Sequence, residues 1–208
     1  MKRLIVKGIA CLIVLTLCCA APAFARLISY EGCDYPAGPD IGGLSGGSGW
    51  NGAWTKTSTG TFAIVSPGLT YNDGVQNLAT RGLAFRGSTF LGDECRRAVQ
   101  TVGFEYLLTN GNSLGLAGTT NWISFLCMLQ GASFGPTGWF GVNLRRPSVQ
   151  FFERTVLGHR PNATSQGMFM TNSWVTGGFG APYTNAAPVV NDQTVFFVTR
   201  IIYSSPSP

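Results

Sequence analysis

Trp122-Ile123-Ser124-Phe125-Leu126-Cys127-Met128-Leu129-Gln130 is nearly all apolar. Such a short run reads as a central strand of a sandwich, covered on both faces. Similar runs surround it. Thr61 to Ser66 (TFAIVS) ends at a Pro67-Gly68 turn, and Ala98 to Leu108 (AVQTVGFEYLL) ends at the hairpin signal Thr109-Asn110-Gly111-Asn112. Gly138 to Leu144, Val149 to Leu157, Met168 to Val175 and Thr194 to Tyr203 complete the set, after a short opening strand at Leu27 to Glu31. Each run is β-branched or aromatic and bounded by Gly, Pro or Asn. No window carries a 3.6-residue period. Many strands without helices predict an all-β, antiparallel sandwich or barrel.

Composition agrees. Of 208 residues, 28 are Gly and 11 are Pro, and charged residues make up 11% against roughly 25% in an average domain. Low charge with 12% aromatics argues against disorder. Interior Gly costs about 1 kcal/mol in a helix, which argues against a helical bundle.

Residues 1–25 read as a secretory signal peptide. Lys2, Arg3 and Lys7 precede an apolar stretch from Ile9 to Ala21, and Ala23-Phe24-Ala25 supplies the small-x-small cleavage pattern. The apolar run is shorter than the roughly 20 residues that span a bilayer. Cys18 and Cys19 sit where a lipid-carrying cysteine would, but Leu17 ahead of them is not small. Cleavage predicts an exported protein, secreted, periplasmic or at the cell surface, with no membrane span left. Residues 26–203 then form one domain and 204–208 a disordered tail.

Without the leader, 14 basic residues become 11 against 9 acidic ones, so +5 falls to +2. That charge gives no footprint for nucleic acid. The basic pairs Arg96-Arg97 and Arg145-Arg146 read as solvated strand ends. Cysteines fall from six to Cys33, Cys95 and Cys127. An odd count allows one bridge and one free thiol. Cys33–Cys95 is the pair favoured, because both lie in polar, Gly-flanked segments. Cys127 reads as a buried small hydrophobe. No CxxC or Cys/His spacing supports zinc.

The Gly-rich stretch 42–52 lacks the GK[ST] ending and the following helix of a phosphate loop. Its glycines read instead as turn and close-approach positions.

Two segments carry a resemblance. Tyr30-Glu31-Gly32-Cys33-Asp34-Tyr35-Pro36-Ala37-Gly38 and Gly46-Gly47-Ser48-Gly49-Trp50-Asn51-Gly52-Ala53-Trp54 resemble the opening of a group of secreted bacterial proteins with a concanavalin A-like (laminin-G-like) jelly-roll domain. Those proteins often end in a PEP-CTERM sorting tail. Residues 65–71, 118–126 and 195–201 resemble further parts of the group. Cys33 stands where the group has Phe, and Ile202 stands where it has Asp. Members continue with more strands and the tail beyond that point. The resemblance therefore implies a C-terminally shortened jelly roll without the anchor, and it implies fold and location more than activity.

Catalytic chemistry has little to stand on. Glycan hydrolysis needs two carboxylates about 5–5.5 Å apart in the retaining case. On one strand that means i and i+2 or i+4. Glu31 and Asp34 are three apart, Asp93 and Glu94 are adjacent, and Glu105 and Glu153 are isolated. His159 has no GxSxG partner. No cofactor is implied, and a Ca²⁺ would have only the loop oxygens of Asn72, Asp73, Asn191 and Asp192, with no DxDxD run. Binding has better material. Trp50, Trp54, Tyr71, Trp139, Trp174 and Tyr183 lie near Gly- or Asn-rich loops, where a ring can stack on a sugar face. Trp122 ranks lower because its run is so apolar.

The leading expectation is a secreted, non-catalytic, lectin-like β-sandwich that binds an extracellular polysaccharide or cell-envelope component. A structural or adhesion protein without a small-ligand site is the second reading, and a glycoside hydrolase the third.

Overall fold

The computed structural model describes residues 25–57, 59–87, 94–109, 113–130, 140–145, 153–159, 167–172, 174–175, 178–179, 183–188 and 190–204. Residues 1–24 and 205–208 lie outside them. The chain is all-β. Its strands are β1 (Trp50–Lys56), β2 (Phe62–Val65), β3 (Tyr71–Asn72), β4 (Asn77–Leu78), β5 (Ala84–Gly87), β6 (Cys95–Val99), β7 (Thr120–Met128), β8 (Phe140–Arg145), β9 (Glu153–His159), β10 (Gly167–Asn172), β11 (Trp174–Val175), β12 (Gly178–Phe179), β13 (Tyr183–Pro188) and β14 (Thr194–Ile202). One 3-10 turn, Glu105–Leu107, is the sole helical element among the described residues.

Pairing is antiparallel throughout the described strands. A four-stranded sheet runs β13-β10-β9-β8, and β1-β6, β2-β5, β3-β4, β11-β12 and β7-β14 form two-stranded ribbons. The segment 38–44 ties two ribbons together. Its Gly43 N–H donates to the Trp54 carbonyl and Trp54 N–H to the Leu44 carbonyl, on β1. Ile41 N–H donates to the Phe62 carbonyl and Ile64 N–H to the Pro39 carbonyl, on β2. Lys56 and Asp40 close the same seam with an ion pair at 2.7 Å. Ile41 and Ile64 are fully enclosed there, each worth about 1.5–3 kcal/mol of apolar burial. Phe85 of β5 fills the gap between Phe62 and Trp54, with centroids at 6.4 and 5.9 Å.

The β7-β14 ribbon is paired without a break, from Ile202↔Thr120 to Thr194↔Met128. On one face Phe125 and Phe197 stack at 5.0 Å. With Cys127 and Val195 they pack on buried Leu129. On the other face Phe196 meets Tyr71 of β3 at 5.6 Å.

Several expectations need correction. Residues 50–56 form a strand, not a continuation of the Gly-rich loop, because β6 supplies a partner 39 to 49 residues away. The strand expected from Ala98 to Leu108 stops at Val99. Gly103 takes φ +83, and the Glu105 carboxylate accepts the Gly103 N–H, which starts the 3-10 turn instead. Around the expected 109–112 turn, Leu108 and Leu114 do bridge, but residues 110–112 lie outside the described ones. The opening strand Leu27–Glu31 reduces to one bridge, Tyr30↔Ser48. Trp122, expected to be covered, is 65% exposed.

Candidate functional site

Period-2 alternation on β6 turns Arg96 outward and Arg97 inward. Arg97 is therefore not the solvated strand end that its sequence context suggested. Its side chain is 4% exposed and meets Glu31, itself 10% exposed, at 3.0 Å. The cause is a kink in the facing strand. Between Asn51 and Thr55 the β1 register slips against β6, with Gly52 at φ +81. The displaced Gly52 carbonyl accepts from Arg97 Nε at 2.7 Å, and the Gly46 carbonyl accepts from Arg97 Nη1 at 2.7 Å.

Glu31 is the acceptor at the centre of this cluster. Its Oε2 receives Tyr35 OH at 2.9 Å, Trp54 Nε1 at 3.0 Å and Arg97 Nη1, while Oε1 receives the Cys33 N–H at 2.9 Å. Tyr35 in turn accepts the Gly46 N–H at 2.8 Å. Burial raises the Tyr35 phenol pKa above its ordinary value; the Gly46 N–H opposes that and the Glu31 carboxylate adds to it. A carboxylate held by four donors is a structural anchor, poorly placed to move a proton.

Above the anchor lies an open cleft of about 420 Å³. Trp50, Arg97, Gly52 and Ala53 line it together with Ser45, Gly46, Gly47, Ser48 and Gly49. Trp50 Nε1 donates to the Tyr30 carbonyl at 2.9 Å, which fixes the indole. Arg97 lies 5.6 Å from the Trp50 ring and 5.9 Å from that of Trp54, and the two rings are 6.1 Å apart. The glycines of the loop serve close approach. A Cβ at Gly47 or Gly49 would strike the Tyr30 or Ile28 carbonyl oxygen, and both residues have positive φ.

The predicted aromatic residues therefore do not form one site. Trp50 lines the cleft and its ring meets that of Trp54, which is not part of the lining, and Tyr71 sits apart, against Phe196. Trp139 lies outside the described residues. Trp174 and Tyr183 open β11 and β13, and their side chains lie outside the described ones. Glu31, Tyr35 and Arg97 were not singled out as site residues from the sequence. The available signal was the alternation of β6, usable only once its partner strand is known.

The remaining candidates have other partners. Asp73 accepts the Val75 and Gln76 N–H groups and Asn72 accepts that of Gly74, so both close their own turn. Those N–H bonds, Gln76 first, hold the Asp73 carboxyl below its ordinary value. Among the described residues no group of three His, Cys, Asp or Glu side chains comes together. Cys33, Cys95 and Cys127 stand as free thiols. Burial pushes Cys33 and Cys127 up to about 11 and Cys95 to about 12. Among the described residues no helix is long and apolar enough to cross a membrane. No family model, curated protein or solved structure matches the chain.

Proposed function

We propose that this is an exported, non-catalytic β-sandwich of the concanavalin A-like jelly-roll kind that binds an extracellular glycan. The leader-like residues 1–25 and the resemblance of the opening segments support export and the sandwich. The observation that carries binding is the cleft: a fixed indole face at Trp50, the exposed hydroxyl-bearing residues Ser45 and Ser48, and glycine backbone within reach of a ligand. An apolar ring beside a few oriented polar groups is the usual form of a small-ligand site. Hydrolysis is disfavoured by the carboxylates. Glu31 is saturated, Asp40 is paired with Lys56, and Asp73 and Glu105 cap backbone N–H groups.

A structural or adhesive role is the second reading. It is favoured by the way Trp50 Nε1 and the Arg97 donors are already used inside the protein. Glycan-array binding by the purified protein and its Trp50→Ala variant separates the two. Retention of at least one glycan, lost in Trp50→Ala, supports the lectin reading. No retained glycan leaves the structural one.

A further inference from the structure

On the β7-β14 ribbon, six residues share one outward face: Thr120, Trp122 and Ser124 on β7, and Val198, Arg200 and Ile202 on β14. They pair directly, Thr120 with Ile202, Trp122 with Arg200 and Ser124 with Val198. All six are exposed, Trp122 at 65%, Ile202 at 59% and Val198 at 49%. The opposite face at this end is buried and partly polar, with Asn121 8% and Thr199 9% exposed. Three of the six, Trp122, Val198 and Ile202, are exposed apolar side chains grouped on one face, and such a group beside polar residues marks a contact surface.

Arg200 tells what the contact is. It is the one charged residue among the six. Its guanidinium lies 5.7 Å from the Trp122 ring centroid. Among the described residues no carboxylate pairs with it. A guanidinium beside an aromatic ring keeps N–H edges for a planar anion. Thr120 and Ser124 place hydroxyls on either side of the indole along β7.

We infer that this face is a binding platform for an acidic polysaccharide, separate from the Trp50 cleft. A sugar ring lies with its C–H face on the Trp122 indole. Its carboxylate takes a bidentate contact from Arg200, and its hydroxyls meet Thr120 and Ser124. A uronic acid polymer has the required ring and charge. A second copy of this chain would bring no carboxylate on this face to pair with Arg200, which disfavours a symmetric dimer through it.

Affinity electrophoresis of the purified protein in gels containing polygalacturonate or neutral dextran tests the platform. Polygalacturonate should retard the protein, and dextran should retard it much less. Trp122→Ala and Arg200→Gln should each weaken retardation at least tenfold, Trp122→Phe should keep part of it, and Val75→Ala, at an exposed residue outside both the platform and the cleft, should keep all of it. Unchanged thermal midpoints for the Trp122 and Arg200 variants show that the loss is not unfolding. Equal retardation by dextran overturns the inference, as does full retardation of both variants. A sedimentation-detected dimer abolished by Trp122→Ala also overturns it in favour of self-association. Loss in Trp50→Ala with no effect at Trp122 overturns the platform and leaves the cleft reading standing.

Discussion

The Glu31 carboxylate and the Arg97 guanidinium, 66 residues apart in the chain, meet at 3.0 Å with both side chains at least nine-tenths buried. Removing one member of such a pair strands the other charge. Arg97→Leu should therefore cost about 3–5 kcal/mol of folding stability. The double variant Glu31→Gln/Arg97→Leu should recover part of that loss. Denaturant unfolding of the three proteins measures both, and additive losses would show that the pair is not coupled.

The loop glycines separate by what surrounds them. Gly49 has φ +74 and a Cβ would meet the Ile28 carbonyl, whereas Gly52 has φ +81 and open space around it. Gly52→Ala should cost only the left-handed penalty, about 1–2 kcal/mol. Gly49→Ala should cost distinctly more, because the backbone of residues 28–29 must move. Thermal midpoints of the two variants give the order.

Asp40 sets an acid limit on the seam between β1 and β2. Burial alone would raise its pKa, but the Lys56 ammonium and the Gly42 N–H outweigh that and hold it below the ordinary 3.8. The unfolded chain therefore takes up this proton first as pH falls. The stabilisation is complete above the unfolded value and is lost as pH drops through the lower folded value. The pair is partly exposed, so the amount is about 0.5–1 kcal/mol. Stability measured from about pH 6 down to pH 2 should fall less steeply in Asp40→Asn than in the parent, and parallel curves would remove Asp40 from this role.

The three thiols should be slow to label. A thiol at about 11 is only about one-thousandth thiolate at pH 8, and the thiolate is the reactive form. Reaction of Cys33, Cys95 and Cys127 with a disulfide reagent should be slow in the native protein and fast in denaturant. A rapidly labelled native Cys33 would contradict its 7% exposure.

The strand runs were legible in the sequence because alternation and bounding glycines are local signals. β2, β7 and β14 lie where TFAIVS, the Trp122 run and the TVFFVTRIIY run place them. What each face meets was not legible. The Trp122 run is apolar along its length, but at Trp122 no described element lies over the outward face, and periodicity carries no information about a neighbour. Arg97 shows the opposite case. Beside Arg96 it looks like a surface charge, and it is buried because Glu31 arrives from another part of the chain to meet it. Beyond Val99 the chain leaves the strand that composition would have extended, and turns at Gly103 with φ +83.

The uninterrupted pairing of β7 with β14 has a kinetic consequence. Thr120 and Ile202 are neighbours in space but 82 positions apart along the chain. The chain between these two strands includes β8 through β13, whose pairings are between near neighbours in sequence. Closing the ribbon around that span costs loop entropy before its contacts form, and such long-range closure slows folding. Hairpins within 140–188 can therefore assemble early, with the β7-β14 clasp closing last. As the longest-range pairing among the described strands, its closure is expected to be the slowest step of folding.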